Sequence, residues 1–201
     1  MPDIEFFFDI SSPWTYLAFH NIQPLADEFG AKVIWRPFMV GGVFNTVNPT
    51  VYESRRTPVP AKQAYLGKSL ADWARWTGVQ VNFPPKVFPV NSVKVMRGCL
   101  VLDGEGKLPA FARAAFEAYW RDDLDIAQDE VVREVCARAG VDADALLLAI
   151  AQQPVKDALR DNTEALIARG GFGSPTIFLG DDMYFGNDHL PLVRAALERA
   201  R

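Results

Sequence analysis

Few side chains in this chain of 201 residues are suited to nucleophilic or acid–base work: two histidines, His20 and His189, and two cysteines, Cys99 and Cys136. If Ser12 begins a helix, His20 lies eight residues along it, about 12 Å away at the helical rise, too far to serve as that serine's general base. Serine hydrolase chemistry would then rest on His189 alone, which a base needing hydrogen-bond reach makes a poor prospect. Isolated histidines and scattered carboxylates form no recognisable metal-ligand set. Neither GxxxxGKS nor GxGxxG is present to cradle a phosphate. The cysteines form no CxxC pair: Cys136 falls on the apolar stripe of its helix and Cys99 follows Met96 by three residues, so both read as small buried hydrophobes.

What remains is the turn Asp9-Ile10-Ser11-Ser12-Pro13-Trp14-Thr15-Tyr16-Leu17. Proline suits the first helical turn, and Ser12 before it is a natural N-cap whose oxygen accepts from the helix amides. Alone, that pair is either a cap or a catalytic group. A second segment, Gly173-Ser174-Pro175-Thr176, places proline at the start of a strand; it is either an ordinary edge proline or a cis-proline exposing the backbone of Ser174 for strand addition. A third, Gly186-Asn187-Asp188, opens a helix and serves either as its cap or as a clasp for charged ligand ends.

The elements that must position these segments are legible from periodicity. Ile4 to Phe8 is a continuous apolar run, as expected of a strand buried on both faces. Ala18, Ile22, Leu25, Ala26 and Phe29 follow at helical spacing up to Gly30, and Val33 to Phe38 reads as a second strand, completing a β-α-β unit. Gly41-Gly42 and the stretch Asn45 to Pro60, rich in Asn, Pro and Thr, read as a long connection. A helical block runs from about Ala61 to Arg169, interrupted at Phe83-Pro84-Pro85-Lys86-Val87-Phe88-Pro89, where three prolines forbid a regular helix. Thr176–Leu179 and Met183–Phe185 around Gly180-Asp181-Asp182 read as a hairpin, followed by a last helix from near Asp188. The order β-α-β, helices, β-β-α predicts an α/β protein with a thioredoxin-like fold, formed by residues 1–45 and 170–201, and an inserted all-helical domain at 46–169.

An apolar fraction of 49% with 23% charged residues describes a globular chain, and excludes disorder and collagen-like repeats. Lys and Arg total 21 against 25 acidic residues, a net charge of −4, which disfavours nucleic acid as a partner. The longest apolar run, Ala145 to Ala151, is far short of the roughly 20 residues of a membrane span. The acidic start Met1-Pro2-Asp3-Ile4-Glu5 resembles neither a secretory n-region nor a transit peptide, and the cysteine usage suits a reducing compartment, so a cytoplasmic location is expected.

Taken together, Phe8-Asp9 with Ser12-Pro13-Trp14-Thr15-Tyr16-Leu17, then Gly173-Ser174-Pro175-Thr176, then Phe185-Gly186-Asn187-Asp188, resemble the DsbA-related, kappa-class glutathione transferase family. The likeness extends along the whole chain, including Phe88-Pro89-Val90-Asn91-Ser92 and Met96-Arg97. Within the family it is most similar to the isomerases acting on a hydroxychromene carboxylic acid. The resemblance implies glutathione as cofactor, with Ser12 standing where disulfide oxidoreductases carry a nucleophilic cysteine and hydrogen-bonding the glutathione sulfur. It implies Ser174 and Pro175 at the cysteinyl part and Gly186, Asn187 and Asp188 at the γ-glutamyl part. The family often has arginine where this chain has His189, and the loop around Asn48 differs in length.

Serine at this turn favours a bound thiolate through its hydroxyl and the positive end of the helix, without covalent attachment to sulfur. Neither Ser12 nor Thr15 can perform disulfide exchange. The implied reaction is reversible thiolate addition to an unsaturated aryl-pyruvate, or else a kappa-type transferase or peroxidase reaction; a third reading is a non-catalytic module binding a peptide at the proline edge. Trp14, Phe44, Asn48 and Phe88 are candidates for an aromatic-acid pocket. Arg55, Arg56 and Lys62 offer charge for the glycyl carboxylate of glutathione or the acid of a substrate, or form a solvated basic cluster. A homodimer is the expected assembly.

Overall fold

A computed structural model describes residues 2–200; Met1, with which the N-terminal stretch read above begins, lies outside the described residues. Strand β1 (Ile4–Phe8) is followed by α1 (Pro13–Phe29) and β2 (Val33–Pro37), and β3 (Thr176–Leu179) and β4 (Asp182–Phe185) form the hairpin. The sheet order is β2-β1-β3-β4, with β1 parallel to β2 and antiparallel to β3. A central β1 explains its composition: Phe6 and Phe8 pack with Phe19 of α1 and Trp35 of β2 on one face, while Phe7 meets Phe38 and Phe178 on the other. Alternate side chains of a strand point to opposite faces, so a strand covered on both sides must be apolar throughout.

Helix α1 starts at the Ser12 cap with Pro13 in its first turn and stops at Gly30, whose φ of 62° is the left-handed conformation that glycine adopts without a Cβ penalty. Among the described residues eight α-helices and one π-helical turn (Glu117–Arg121) lie in sequence between β2 and β3. The first are α2 (Val40–Thr46), α3 (Thr50–Arg56) and α4 (Pro60–Thr77). Then come α5 (Val93–Asp103), α6 (Leu108–Phe116), α7 (Asp129–Ala139), α8 (Ala143–Ala149) and α9 (Gln153–Ala168). One apolar core unites α1 and one sheet face with the helical region through Phe111, Phe116 and Trp120, while Leu166 of α9 covers Phe7 and Phe178 on the other face. A final helix, α10 (Leu190–Arg199), packs on α1. The thioredoxin-like fold with an inserted helical region is therefore the architecture of the chain.

The connection expected from Gly41 to Pro60 is not open loop. Gly41, Gly42 and Asn45 lie inside α2, and Pro49 caps α3, which starts at Thr50; each of the two helices has seven residues. Two turns are too short for periodicity to register, and α2 is held by tertiary packing: Val43 is buried among Phe7, Phe38, Leu166 and Phe178. The last helix also differs slightly, since a 3-10 turn at Asn187–His189 precedes α10.

Candidate active site

The Ser12 hydroxyl is partly exposed and makes two bonds. It accepts from the Thr15 amide at 3.3 Å, as an N-cap should, and donates to the Ser174 carbonyl at 3.1 Å. Two further bonds stitch the segments together: the Asp9 amide donates to Ser174 Oγ at 2.9 Å, and the hydroxyls of Thr15 and Ser174 lie 2.7 Å apart. The Ser174-Pro175 peptide is cis. The Gly186 amide donates to the Pro175 carbonyl at 3.1 Å, bringing the third segment to the same edge. The structure thus brings Ser12, Ser174, Pro175 and Gly186 together, although more than 160 residues of chain separate the first pair.

Beneath the turn lies a carboxylate to which sequence reasoning gave no role. Asp9 is fully buried, with Oδ1 accepting from the Ser11 amide at 2.9 Å and from Ser92 Oγ at 2.7 Å, and Oδ2 accepting from the Val40 amide at 2.9 Å. Burial pushes its carboxyl above the usual range, opposed by the hydrogen bonds from Ser11, Val40 and Ser92. The next residue is clamped as well: the Ile10 amide faces Met96 Sδ at 3.4 Å, and the Trp120 indole donates to the Ile10 carbonyl at 2.8 Å. The Ser12 turn is therefore tied to α2, α5 and the π-helical turn Glu117–Arg121 after α6. Ser92 and Met96 stand in segments singled out from the sequence, but spacing alone carries no sign of their contact with the turn.

The remaining candidates differ in burial and in partners. Asn187 is buried, and neither its Nδ2 nor its Oδ1 has a hydrogen-bond partner. It lines a groove of about 380 Å³ between α1, α4 and α10, with Asn21, Trp73, Trp76 and Arg194. Asp188 is exposed, with Oδ1 3.5 Å from His189 Nδ1, so this chain places an imidazole beside the acid. A Cβ on Gly186 would stand 2.6 Å from that same Oδ1, and its φ of 99° favours glycine as well.

On the other side, Asn48 donates to the Phe172 carbonyl at 3.1 Å, tying the α2–α3 link to the chain just before Ser174. Phe172 in turn packs on Phe185, with ring centroids 4.5 Å apart. Phe44 meets the edge of Tyr52, and Phe88 packs on Phe83 and Trp120. Trp14 is partly buried against the main core. Lys62 is exposed in the first turn of α4. His20 lines a separate groove with Tyr16, Arg113 and Glu117, where burial and the Arg113 charge lower its pKa. Both cysteines are buried free thiols whose pKa values burial raises, as expected of residues serving the core.

This constellation can stabilise an anion at the N-terminus of α1 and hold an extended backbone at the pre-proline edge. The sequence model of the DSBA-like thioredoxin domain matches residues 3–198. The chain is 28% identical over 196 residues to a 2-hydroxychromene-2-carboxylate isomerase of Pseudomonas putida, a match covering 98% of this chain and 94% of that relative. It is 25% identical to glutathione S-transferase kappa 1 of Homo sapiens, over 94% of this chain and 88% of the other. Among solved structures, that of a selenomethionine 2-hydroxychromene-2-carboxylate isomerase superposes with a TM-score of 0.83 at 26% identity, over 98% of this chain and 95% of that one. With a match running nearly end to end and a turn, a proline edge and a helix start assembled as described, the chain belongs to the DSBA-like thioredoxin domain family.

Proposed function

We propose that the chain is a glutathione-dependent isomerase that interconverts 2-hydroxychromene-2-carboxylate and trans-o-hydroxybenzylidenepyruvate, or a closely related aromatic acid. The observation that carries the reading is the partly exposed Ser12 hydroxyl at the positive end of α1, facing the Ser174 carbonyl across the proline edge. No cysteine stands in that turn. The residues fit glutathione: the Ser12 proton is held only by a 3.1 Å bond and can be redirected to a sulfur anion, while Gly186 and the exposed Asp188 lie at the neighbouring helix start. When bound, glutathione supplies a thiolate that adds reversibly to the unsaturated side chain, so that a double bond becomes a rotatable single bond.

The protein's own contribution is electrostatic and positional. Ser12 and the α1 N-terminus favour negative charge on the sulfur; Ser174 and Pro175 hold the cysteinyl backbone; Asn187 and Asp188 meet the γ-glutamyl end, and Lys62 the glycyl end. Trp14, Phe44, Asn48 and Phe88 form the substrate side. The reading includes a cytoplasmic homodimer. Among the described residues no helix is long and apolar enough to cross a membrane.

The kappa relatives support a second reading, in which the same Ser12 serves transfer of glutathione to an electrophile or reduction of a peroxide. One experiment separates the two: turnover of the chromene acid followed by ultraviolet absorbance with and without glutathione, while free thiol is assayed in parallel. Glutathione-dependent isomerisation without net thiol loss supports the isomerase; stoichiometric thiol loss supports the transferase. No glutathione-dependent reaction of the chromene acid refutes the isomerase.

A further inference from the structure

We propose that the groove between α1, α6 and the turn after α4 is a second binding site, for a small organic carboxylate, with Arg113, Tyr16 and His20 as its donors. His20 lies about 12 Å along α1 from Ser12 at the helical rise, so this site is separate from the reaction proposed above.

Three parts of the chain form the groove. Tyr16, Phe19 and His20 come from α1, Val79 follows the end of α4, and Arg113 and Glu117 come from α6 and the π-helical turn after it. The space measures about 200 Å³, below the roughly 300 Å³ at which pockets for drug-sized molecules begin, so its ligand is small. The side chains of Tyr16, His20 and Arg113 all border this space, and among the described residues none of the three makes a hydrogen bond or an ion pair.

Arg113 is left over by the pairing around it. Glu117 stands four residues after Arg113 and four before Arg121, and its carboxylate goes to Arg121 at 3.0 Å, the order of acid before base that a helix favours. Arg121 also meets Asp122 at 2.8 Å, so its charge is answered twice. Arg113 is exposed and keeps its fork of donors. The Tyr16 ring is fixed by stacking on Phe116 at 5.2 Å, and Phe19 lies 5.1 Å from that same ring. Burial and the Glu117 charge push the Tyr16 pKa up to about 12, so its hydroxyl remains a donor at neutral pH. Burial and the Arg113 charge lower the pKa of His20 against the pull of Glu117, and a neutral imidazole still has an N–H to donate.

One unanswered guanidinium suits a singly charged ligand, and a carboxylate can accept from its fork in bidentate fashion. The Tyr16 ring, Phe19 and Val79 are apolar walls that a hydrated inorganic anion would leave unfilled. A carboxylate on a small ring satisfies both. The charged groups lining the groove beside His20 are Arg113, Glu117 and Arg121, and the turn after α4 adds none. A bound anion offsets the repulsion from Arg113 and raises the imidazole pKa, so affinity should grow as pH falls through the range in which His20 takes up its proton.

The test is imidazole NMR on the intact protein, titrated with benzoate and with inorganic phosphate, in wild type, Arg113→Gln and Arg113→Lys. His20 reports on the groove, and His189, at the start of α10, serves as the reference outside it. In wild type benzoate should move the His20 signals saturably and raise the His20 pKa, with phosphate the weaker ligand. Arg113→Gln should weaken benzoate about 10- to 100-fold, the scale of a hydrogen bond to a charged group. Even without ligand it should raise the His20 pKa, because a charge that depresses it is gone. Arg113→Lys should recover part of the affinity, since it keeps the charge without the fork. Arg113 is exposed, so both variants should fold. His20 signals unmoved by benzoate, a shift confined to His189, an equal response in wild type and Arg113→Gln, or tighter binding of phosphate would each overturn the proposal.

Discussion

Replacing Ser12 with alanine removes one proton donor from the place where negative charge is held, and the size of the effect follows from what that proton does. In the structure it goes to the Ser174 carbonyl at 3.1 Å. A neutral hydrogen bond of this kind contributes about 1 kcal/mol net, whereas one to a charged group contributes roughly 1.5–3 kcal/mol. Redirecting the hydroxyl from carbonyl to thiolate therefore gains about 0.5–2 kcal/mol, which at 1.36 kcal/mol per pH unit lowers the thiol pKa by about 0.4 to 1.5. The variant should raise the pKa of bound glutathione by that amount. The α1 N-terminus survives the substitution, so the thiol should still titrate below the roughly 8.5 of a free thiol. The lost cap at Thr15 should cost about 0.5–1 kcal/mol of folding stability, at the lower end for caps because the bond is 3.3 Å long. Titration of thiolate absorbance near 240 nm, about where thiolates absorb, in the complexes of both proteins measures the shift. Glutathione affinity at low pH, where the thiol is protonated in both, should be nearly equal. An unchanged thiol pKa in a folded variant that binds glutathione would refute the role given to Ser12.

Three further changes probe the frame around that hydroxyl. Asp9→Asn must turn its NH₂ toward one of the N–H donors of Ser11 or Val40, leaving a buried amide unpaired, and should cost about 1–3 kcal/mol in urea denaturation. The pH dependence has a definite sign: because burial raises the folded pKa of Asp9, the folded state holds its proton to higher pH than the unfolded state does. Wild-type stability relative to the variant should therefore fall as pH rises from the unfolded value of about 3.9 through the higher folded one, then level off; a gap that widened would contradict this. Trp120→Phe removes the donor to the buried Ile10 carbonyl and should destabilise by about 1–3 kcal/mol, visible as a lowered denaturation midpoint. Gly98→Ala would set a Cβ 2.8 Å from the Phe111 ring and 3.4 Å from Leu146, an overpacking expected to cost about 1–3 kcal/mol by thermal or chemical unfolding.

Much of the scaffold was readable because its causes are local. The run Ile4 to Phe8 announced a central strand, and Gly30 marked the end of α1 through its backbone freedom alone. The Ser12-Pro13 pair announced a helix start for the same kind of reason: cap geometry and a fixed φ act within one turn. Helices α2 and α3 were missed because two-turn helices carry little period, and what holds α2 is the fit of Val43 beneath Phe38 and Leu166.

The sequence by itself determined which residue types were present for chemistry, a serine in place of a thiol at the start of α1, and the order of strands and helices that carry it. Only the tertiary structure decided what that serine faces. Its proton meets Ser174, 162 positions away, and the turn rests on an Asp9 carboxylate held by Ser92, 83 positions away. It likewise placed Arg55 over Phe44 and Phe88, rings on two separate segments. Hydrogen bonds and ring contacts act across a few ångströms of space regardless of chain separation, so residue spacing can propose the participants in a site but packing alone selects their partners.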